Sequence, residues 1–427
     1  MSFFYNFLLI LAVILYSPVH LIRLFFSSKY RKSTLARIGF QSIPKLAPDS
    51  PRYWIHSVSV GETQVAKTVT AEILNREPDA QIVISTITET GQHVARSIEG
   101  TAGTFYYPVD ISFLVKPILK KIRPDAIFII ETDIWFNFVN SAMNYEIPVF
   151  LLNGKISETT LKRYRQFPFT AAKLLKPFHH FFVQSETYKE RFIEAGIDSQ
   201  KLTIAGNVKL DCNVPYLTQE DKSDLAANYK LDLNKPIVTF GSTHPGEEEL
   251  AVKVFKELKA EFDELQLLLV PRHPERFNSV AEMLKKSDVE FNRASKMEES
   301  SRPFVLVDQM GMLMKLYSIS TVGVVAGTFT PHVGGHNILE PSFYGKPFVY
   351  GPWIYKQPGF HQMNLEAKAG IQCKPEELVK ELKNLLSNKQ LCDEYGQRGI
   401  EILKISKGAT AKIIDEVFSE LGKNEPG

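Results

Sequence analysis

The chain has 427 residues, which is too long for one ordinary hydrophobic core and predicts two domains of about 150 to 200 residues each. With 44% hydrophobic and 23% charged residues it has a globular composition, and a formal net charge of +2 excludes a general electrostatic attraction to nucleic acid. Its three cysteines form no CxxC pair, which indicates a reducing compartment rather than a disulfide framework.

The N-terminal segment is almost wholly apolar from Phe3 to Phe26. It is long enough to cross a bilayer, which needs about 20 residues, although Pro18 and Arg23 also allow a tilted or partly interfacial helix. It lacks a basic n-region and a small-residue cleavage site, so we expect residues 1–28 to be a retained membrane anchor. The bases that follow it place the rest of the chain in the cytoplasm. A buried helix of a soluble lobe is the alternative.

From Arg52 onward, short β-branched or aromatic runs alternate with helical patterns, which predicts βαβ units and a parallel sheet over residues 29–206. A polar stretch ending at Pro236 predicts a linker over residues 207–235. The alternation then restarts, so residues 236–427 form a second lobe. The predicted fold is α/β, with two similar lobes and a cleft between them. Ligands bind such sheets at the carboxyl ends of their strands. The predicted strands are Tyr53–Val58, Gln81–Thr86, Ala126–Ile130, Val149–Leu152, Phe181–Gln184, Ile237–Phe240, Leu265–Val270, Val305–Val307, Val322–Val325 and Phe348–Tyr350.

The first strand of the first lobe ends in a candidate catalytic residue. In Ser57-Val-Ser-Val-Gly-Glu62 a strand runs into a glycine and then a carboxylate at a helix start. A helix N-terminus favours the ionised carboxylate, which makes Glu62 a proton acceptor but limits its basicity. An ordinary first-turn glutamate that serves the helix dipole is the alternative.

Three strand ends of the second lobe carry candidate anion-binding groups. The loop Gly241-Ser-Thr-His-Pro-Gly-Glu247 offers backbone N–H groups and two hydroxyls to a phosphate, and Arg272 offers a forked charged contact. Paired glycines after a later strand let the backbone approach a ligand, and Glu340 suits a ribose diol. A well-capped helix and a solvated loop arginine are the alternatives. No HExxH or DxD motif occurs, so we expect neither metal nor cofactor.

Together these segments resemble the 3-deoxy-D-manno-octulosonic acid (Kdo) transferases of lipopolysaccharide synthesis, which are inverting glycosyltransferases of the two-lobed GT-B fold. The resemblance covers nearly the whole chain. Further segments that carry it are Ser85-Thr-Ile-Thr-Glu-Thr-Gly91, Tyr107-Pro-Val-Asp110, Glu131-Thr-Asp-Ile-Trp135, Asn153-Gly-Lys-Ile-Ser157 and Gly206-Asn-Val-Lys-Leu-Asp211.

The resemblance implies a role for each matched residue. Glu62 would be the catalytic base and Glu131 a second essential acid, and the stretch after Ser406 would pack on the first lobe. The CMP-Kdo site would contain Gly241, Ser242, Thr243, His244, Glu247, Arg272, His273, Gly334, Gly335, Asn337 and Glu340.

The acceptor implied by the resemblance is a lipid A precursor at the cytoplasmic face of the bacterial inner membrane. A run from Thr159 to Phe178 has five basic residues, no acidic residue and interleaved aromatics, which suits an anionic amphiphile. The expected acceptor and lipid contacts are Lys155, Ser157, Lys162, Arg163 and Arg165. A solvated helix face is the alternative.

Three competing functions remain from the sequence. A glycosyltransferase of the same architecture with a different nucleotide sugar would keep both lobes, and so would a nucleotide-sugar epimerase, which needs no anchor. A non-catalytic, membrane-bound nucleotide-sugar sensor would keep Arg272 and Glu340 but would have no use for Glu62.

Overall fold

The computed structural model describes residues 4–15, 28–211 and 214–423; for residues 28–32 it describes the helix but not the side chains. The chain divides into two compact units. Unit 1 comprises Met1–Cys212 and Ser406–Gly427, and unit 2 comprises Asn213–Ile405. Over the described residues each unit contains a seven-stranded parallel sheet, so the predicted α/β class with two parallel-sheet lobes is confirmed.

Unit 1 alternates strands and helices, and its strand order is β3-β2-β1-β4-β5-β6-β7. Its elements are α1 (residues 4–15), α2 (Ser28–Arg37), β1 (Arg52–His56), α3 (Val60–Arg76), β2 (Gln81–Thr86), α4 (Glu89–Arg96), β3 (Thr101–Tyr106), α5 (Ser112–Ile122), β4 (Ala126–Ile130), α6 (Phe136–Asn144), β5 (Val149–Gly154), α7 (Glu158–Gln166), α8 (Pro168–Leu175), β6 (His180–Val183), α9 (Glu186–Glu194) and β7 (Leu202–Ile204).

The central strands of unit 1 are apolar throughout because both faces of the sheet are covered by helices. Ile127 and Ile129 of β4 belong to the core on one face, whereas Phe128 and Ile130 belong to the core on the other. This alternation is the period of two that a strand imposes on its side chains. It fixes the register of β4, so the residue that follows the strand is placed reliably at the edge of the sheet.

Unit 2 repeats the plan with the strand order β10-β11-β9-β8-β12-β13-β14. Its elements are α10 (Gln219–Asn228), β8 (Ile237–Thr243), α11 (Glu247–Lys259), β9 (Gln266–Pro271), α12 (Phe277–Lys285), β10 (Phe291–Arg293), β11 (Phe304–Leu306), α13 (Leu313–Ile319), β12 (Val322–Val325), β13 (Phe348–Tyr350), α14 (Pro358–Ala367), β14 (Gly370–Gln372), α15 (Leu378–Ser387) and α16 (Lys389–Ser406).

The segment predicted as a linker, residues 207–235, is largely ordered structure. Val208–Leu210 forms a 3-10 turn of unit 1, and α10 packs Leu225 and Ala226 into a core of unit 2. A capping box formed by Thr218 and Asp221 begins α10. The low hydrophobicity of this stretch therefore reflects a helix with a narrow buried face rather than an extended connection.

The chain returns to unit 1 at its C-terminal end, as the family resemblance implies. The last helix, α17 (Ala409–Glu420), packs against α3 and buries Ile413 and Ile414 in the core that covers one face of the sheet. On the same helix Glu416 and Glu420 contact His180 at the start of β6, with Glu420 Oε1 at 2.9 Å from His180 Nδ1. Unit 2 therefore ends at Ile405, within the second lobe predicted over residues 236–427.

Part of the anchor predicted over residues 1–28 lies outside the described residues. Within the described part of the chain, no helix has both the length and the apolar character needed to cross a bilayer. The helix α1 is described, and most of its large apolar side chains are exposed, among them Phe4, Phe7 and Leu15. Its Tyr5 hydroxyl donates to the carboxylate of Asp110 at 3.1 Å, which fixes this helix to unit 1.

Candidate functional site

Glu62 lies at the strand-end edge of the unit 1 sheet, in the first turn of α3. Ser59 caps this helix, and its hydroxyl oxygen accepts a hydrogen bond from the Glu62 N–H at 3.4 Å. The Glu62 carboxylate in turn accepts hydrogen bonds from the Val58 N–H at 2.7 Å and from the Ser59 hydroxyl at 2.8 Å. The Ser-x-x-Glu spacing is that of a capping box, and it holds the carboxylate in one place.

The surroundings of Glu62 make it a stronger base than the sequence suggests. Burial, with the negative charge of Glu131 as the next contribution, raises the pKa of Glu62 to about 7. The hydrogen bond from Val58 opposes this rise without cancelling it. The helix N-terminus was expected to limit the basicity of Glu62, whereas burial and the neighbouring carboxylate act in the opposite direction and bring the pKa above its usual value.

Glu131 follows β4 directly, and its backbone has an unusual conformation. Its φ of 64° is left-handed, which is rare for a residue with a Cβ and costs of order 1 kcal/mol or more. Its N–H donates to the Leu152 carbonyl at 2.9 Å, so the neighbouring strand holds the conformation in place. Asn153, at the end of that neighbouring strand, has a φ of 56°. Two such residues on adjacent strands indicate a functional site.

The carboxylate of Glu131 is held between two lysines. Lys155 Nζ lies 2.5 Å from Glu131 Oε2, and Lys209 Nζ lies 2.6 Å from Glu131 Oε1. Burial alone raises the pKa of Glu131, but the charges of Lys209 and Lys155 outweigh it and bring the pKa below its usual value. Glu131 is thus ionised at neutral pH. Its carboxylate and the two ammonium groups that pair with it lie near Glu62.

This arrangement gives one predicted residue a partner and adds one residue to the site. Lys155, predicted to contact the acceptor or its lipid, pairs with Glu131, because a buried carboxylate requires a cation; its contact with the acceptor stays a prediction. Lys209 was not among the predicted site residues. The segment Gly206–Asp211 was recognised as a family segment, but its lysine follows a short edge strand and lies between two buried apolar residues, so nothing marked it as functional.

The other predicted acceptor residues lie on α7. Ser157 is the N-cap of this helix, and its hydroxyl oxygen accepts a hydrogen bond from the Thr160 N–H at 3.1 Å; its contact with the acceptor stays a prediction. Lys162 and Arg163 are exposed, and Arg165 pairs with Glu194.

In unit 2 the loop after β8 is organised by Glu247, at the first position of α11. The Glu247 carboxylate is buried and accepts hydrogen bonds from the N–H groups of His244, Gly327 and Phe329 at 2.7 to 2.9 Å. Its oxygens therefore join two strand-end loops, and the contact between Glu247 and the donor stays a prediction. Gly241 is equally constrained, since a Cβ there would lie 2.1 Å from the Tyr317 hydroxyl.

Two other predicted donor-binding residues of this loop are Ser242 and Thr243. Ser242 has a left-handed φ of 62°, and Thr243 is fully buried. Among the described residues, the Thr243 hydroxyl oxygen has no hydrogen-bond partner. A buried hydroxyl without a partner loses its hydration and gains nothing in return, so it is a candidate contact for a polar ligand.

Three imidazoles and an arginine gather at the strand ends of unit 2. His244 Nε2 lies 2.9 Å from His336 Nε2, and the rings of His244 and His273 meet edge to face at 5.3 Å. The N–H of Arg272 donates to the Thr243 carbonyl at 3.1 Å, which holds the ends of β8 and β9 together. The predicted donor residues from three separate segments are therefore neighbours.

The charge of this cluster favours an anion. Burial, together with the charges of Arg272, His273 and Lys356, lowers the pKa of His244 to about 4 and that of His336 to about 3. The charges that act most on the two rings are positive. A negatively charged ligand would reduce the repulsion between these positive charges.

The remaining predicted donor residues line the loop after β12. Gly334 and Gly335 have φ values of 84° and 93°, and a Cβ on Gly335 would lie 2.4 Å from Ile354 Cδ1. Asn337 Oδ1 accepts a hydrogen bond from the Leu339 N–H at 3.1 Å, and Glu340 is half-buried before a 3-10 turn. These glycines are needed for the turn itself, because its backbone conformation disfavours a side chain. The turn therefore explains them without a ligand as well as with one.

The comparison with characterised proteins decides the family. A family model described as "3-Deoxy-D-manno-octulosonic-acid transferase (kdotransferase)" matches residues 32–212. The 3-deoxy-D-manno-octulosonic acid transferase of Chlamydophila psittaci is 31% identical over 412 residues, which are 96% of this chain and 94% of that protein. The transferase of the same name from Haemophilus influenzae is 30% identical and covers 93% of both chains.

The chain belongs to the 3-deoxy-D-manno-octulosonic acid transferase family. The predicted family and class of enzyme, a Kdo transferase, are therefore confirmed.

Solved structures place this Kdo transferase family member in the GT-B fold. A glycosyltransferase from Rickettsia africae aligns with a TM-score of 0.63 at 15% identity over 88% of this chain and 100% of that one. A UDP-GlcNAc 2-epimerase from Neisseria meningitidis aligns with a TM-score of 0.60 at 14% identity over 86% and 100%. At these identities the likeness concerns the fold alone.

Proposed function

We propose that this chain transfers Kdo from CMP-Kdo to a lipid A precursor of the lipid IVA type in lipopolysaccharide core biosynthesis. The curated relatives carry the name of the Kdo transfer reaction. The observation that carries the catalytic part of the proposal is Glu62, a buried carboxylate with a pKa raised to about 7 at the strand-end edge of unit 1. A base with a pKa near the working pH is the most effective proton acceptor.

Glu62 would remove the proton from a glucosamine hydroxyl of the acceptor while that oxygen attacks the ketosidic carbon of Kdo. The attack and the departure of CMP are one in-line displacement, so the configuration at this carbon is inverted. Glu131 would act through its charge. It keeps the pKa of Glu62 high and holds Lys155 and Lys209 beside the reacting hydroxyl.

The strand-end cluster of unit 2 would bind the donor. CMP leaves as a phosphate ester, which needs its negative charge stabilised more than it needs a proton. Arg272 offers a forked contact to phosphate or carboxylate, and the hydroxyl of Thr243 together with the N–H groups of its loop offers neutral donors. The positive charges around His244 and His336 would stabilise the negative charge of the leaving CMP.

We propose the cytoplasmic face of the bacterial inner membrane as the location. The exposed apolar side chains of α1 suit the acyl region of a bilayer, and the bases after residue 28 suit anionic headgroups on the cytoplasmic side. The acceptor would approach α7 and α8, where Lys162 and Arg163 are exposed next to Phe167 and Phe169, which are 58% and 68% exposed.

The test is product mass analysis with the purified full chain, a tetraacylated lipid A precursor and a panel of donors: CMP-Kdo, CMP-sialic acid and UDP-sugars. We expect a product larger by one or more Kdo units with CMP-Kdo alone. Transfer from another donor would overturn the substrate assignment.

The matched variants are Glu62→Gln and Glu186→Gln, the second being an exposed glutamate at the start of α9. We expect kcat to fall about 10²- to 10⁴-fold in the first and to stay unchanged in the second. CMP-Kdo binding should be unchanged in both, which distinguishes an enzyme from a nucleotide-sugar sensor. Full turnover by Glu62→Gln would remove Glu62 as the base.

A further inference from the structure

A cavity of about 410 Å³ lies on the flank of unit 1, between α5, α6 and α8. Three lysines line it: Lys116 from α5, Lys173 from α8 and Lys176 just after α8. Phe136 and Met143 of α6 supply apolar wall, and hydroxyl and amide side chains line the remainder. The cavity thus combines positive charge, hydrogen-bond donors and a small apolar surface.

The lysines of this cavity are not paired with carboxylates. Within the part of the chain that the structure describes, no carboxylate lines the cavity and none forms an ion pair with Lys116, Lys173 or Lys176. The Lys173 ammonium lies 4.4 Å above the ring of Phe169, an aromatic residue that is itself 68% exposed. Three positive charges around one cavity favour the binding of an anion.

The cavity adjoins the apolar helix α1. Asn6 of this helix donates to the Ser112 hydroxyl at 2.9 Å, and Ser112 lines the cavity. The ring of Tyr5 lies 5.0 Å from that of Phe136, another lining residue. The side of unit 1 that carries exposed apolar side chains on α1 is therefore the side on which the cavity opens.

We propose that this cavity binds the phosphate of an anionic phospholipid headgroup in the bilayer, so that unit 1 is seated on the membrane by a specific lipid contact as well as by α1. This inference rests on the membrane location proposed above. A lysine near a charged bilayer contributes about 1 kcal/mol, and three in one cavity can contact a single phosphodiester together.

The position of the cavity favours a bilayer lipid over the acceptor. The strands of unit 1 are parallel, so all of their carboxyl ends, including those before Glu62 and Glu131, lie at one edge of the sheet. Lys173 and Lys176 precede β6 and therefore lie towards the opposite edge, whereas Ser112 and Phe136 line the other end of the cavity, where α5 and α6 begin. A strand of five residues spans about 17 Å, so a phosphate held by Lys173 and Lys176 lies away from the hydroxyl that Glu62 would deprotonate.

The experiment compares two triple variants of the full chain. The first carries Lys116→Gln, Lys173→Gln and Lys176→Gln. The control removes the same charge outside the cavity with Lys45→Gln, Lys67→Gln and Lys189→Gln. Co-sedimentation is measured with vesicles of phosphatidylcholine alone and of phosphatidylcholine with phosphatidylglycerol, at one physiological ionic strength.

We expect the wild-type chain to prefer the vesicles that contain phosphatidylglycerol. The cavity variant should bind these vesicles on the order of 100-fold more weakly, whereas the control variant should stay close to wild type. Equal losses in the two variants would overturn the proposal, because they would show that the overall surface charge is responsible.

A second measurement needs no variant. A phosphatidylglycerol analogue with a photoreactive headgroup is cross-linked to the wild-type chain in vesicles, and the labelled peptides are identified by mass spectrometry. We expect labelling of the segments around Lys116, Met143 and Lys176, with no competition from equimolar inorganic phosphate. Labelling elsewhere, or displacement by free phosphate, would overturn the proposal.

Acceptor kinetics distinguish the remaining source of phosphate. A higher acceptor KM in the cavity variant, measured in detergent without phospholipid, would assign the cavity to the acceptor and overturn the bilayer assignment. If the wild-type chain transferred no Kdo but still bound phosphatidylglycerol through the three lysines, the proposed function would fail and the lipid site would remain.

Discussion

Glu62 and Glu131 are buried carboxylates at the same edge of one sheet, and their surroundings move their pKa values in opposite directions. Glu62 has hydrogen bonds but no cation of its own, so burial and the charge of Glu131 raise its pKa. Glu131 has two lysines, whose charges outweigh its burial. Two carboxylates with opposed pKa values are typical of sites that assign one group to proton transfer and the other to charge.

This arrangement predicts the pH dependence of transfer. Glu62 must be deprotonated to act as the base, so kcat/KM for the acceptor should fall as pH falls through about 7. In Glu131→Gln the repulsion between the Glu131 and Glu62 carboxylates is lost. The positive charges of Lys155 and Lys209 are also no longer offset by the Glu131 carboxylate. Both changes favour ionised Glu62, so the acidic limb should move to lower pH while the maximum rate falls.

The measurement is a pH profile of initial rates for wild type, Glu131→Gln and Glu186→Gln. The last variant removes an exposed carboxylate of the same unit and should keep the wild-type limb. An acidic limb that stays near pH 7 in Glu131→Gln would contradict the coupling between the two carboxylates.

Residue type and position after a strand were enough to predict Glu62 and Arg272 as candidates, whereas Glu131 was implied by the family resemblance. They were not enough to predict the pKa of Glu62, because burial and the proximity of Glu131 depend on contacts between separate βα units. Lys209 was missed for the same reason, since its partner lies 78 positions away in the sequence. The hydrogen bonds from the Gly327 and Phe329 N–H groups to Glu247 were not predictable either, because they join two loops that are distant in the sequence.

At the scale of elements, strands with continuous apolar runs were predictable and short or polar strands were not. β4 and β5 are buried on both faces and read as such in the sequence. β3 contains Gly103 and two threonines, and β10 has three residues, so neither shows an apolar run. The helix α10 was hidden by its polar composition, although the spacing of Thr218 and Asp221 is that of a capping box.

The N-terminus of α17 is bound by an acidic residue that lies outside the helix. Asp211 Oδ1 accepts a hydrogen bond from the Gly408 N–H at 2.7 Å, and Oδ2 accepts from the N–H and the hydroxyl of Thr410, each at 2.6 Å. These N–H groups lie at the helix N-terminus, where no carbonyl of the helix can reach them. Asp211 thus caps α17 from a distant part of the sequence.

The cap predicts a measurable loss of stability. Asp211→Ala should lower the free energy of unfolding by about 1 to 2 kcal/mol, since two helix N–H groups lose their acceptor. Asp415→Ala is the control: it removes a carboxylate of the same helix that pairs with Arg76 at the surface, which should cost less than about 1 kcal/mol. Urea unfolding measures both variants, and equal losses would show that Asp211 does not cap the helix.

At the scale of the whole molecule, the two units use the same position in equivalent sheets. In unit 1 the order of strands reverses between β1 and β4, and these two strands deliver Glu62 and Glu131. In unit 2 it reverses between β8 and β12, which deliver the loop of Thr243 and His244 and the loop of Gly334 and His336. Open parallel sheets bind ligands at such reversal points, so one rule of topology accounts for both sets of residues.

Nucleotide binding in unit 2 and proton transfer in unit 1 should depend on pH in opposite directions, and this is testable in the intact protein. At 2.9 Å one ring nitrogen of the pair His244 and His336 must donate and the other accept, so the pair can take up one proton without breaking this contact. An anionic nucleotide raises the low pKa values of these rings, so binding should be accompanied by proton uptake and should strengthen as pH falls towards about 4.

The base in unit 1 responds in the other direction, because protonated Glu62 accepts no proton. The intact enzyme should therefore bind CMP more tightly in acid while it transfers Kdo more slowly. Calorimetric titration of CMP in buffers of different ionisation enthalpy measures the proton uptake, and transfer rates are followed over the same pH range. His336→Asn should reduce the uptake and leave the acidic limb of transfer in place, since that limb belongs to the other unit. Parallel pH trends for binding and transfer would show that a single titrating group governs both steps.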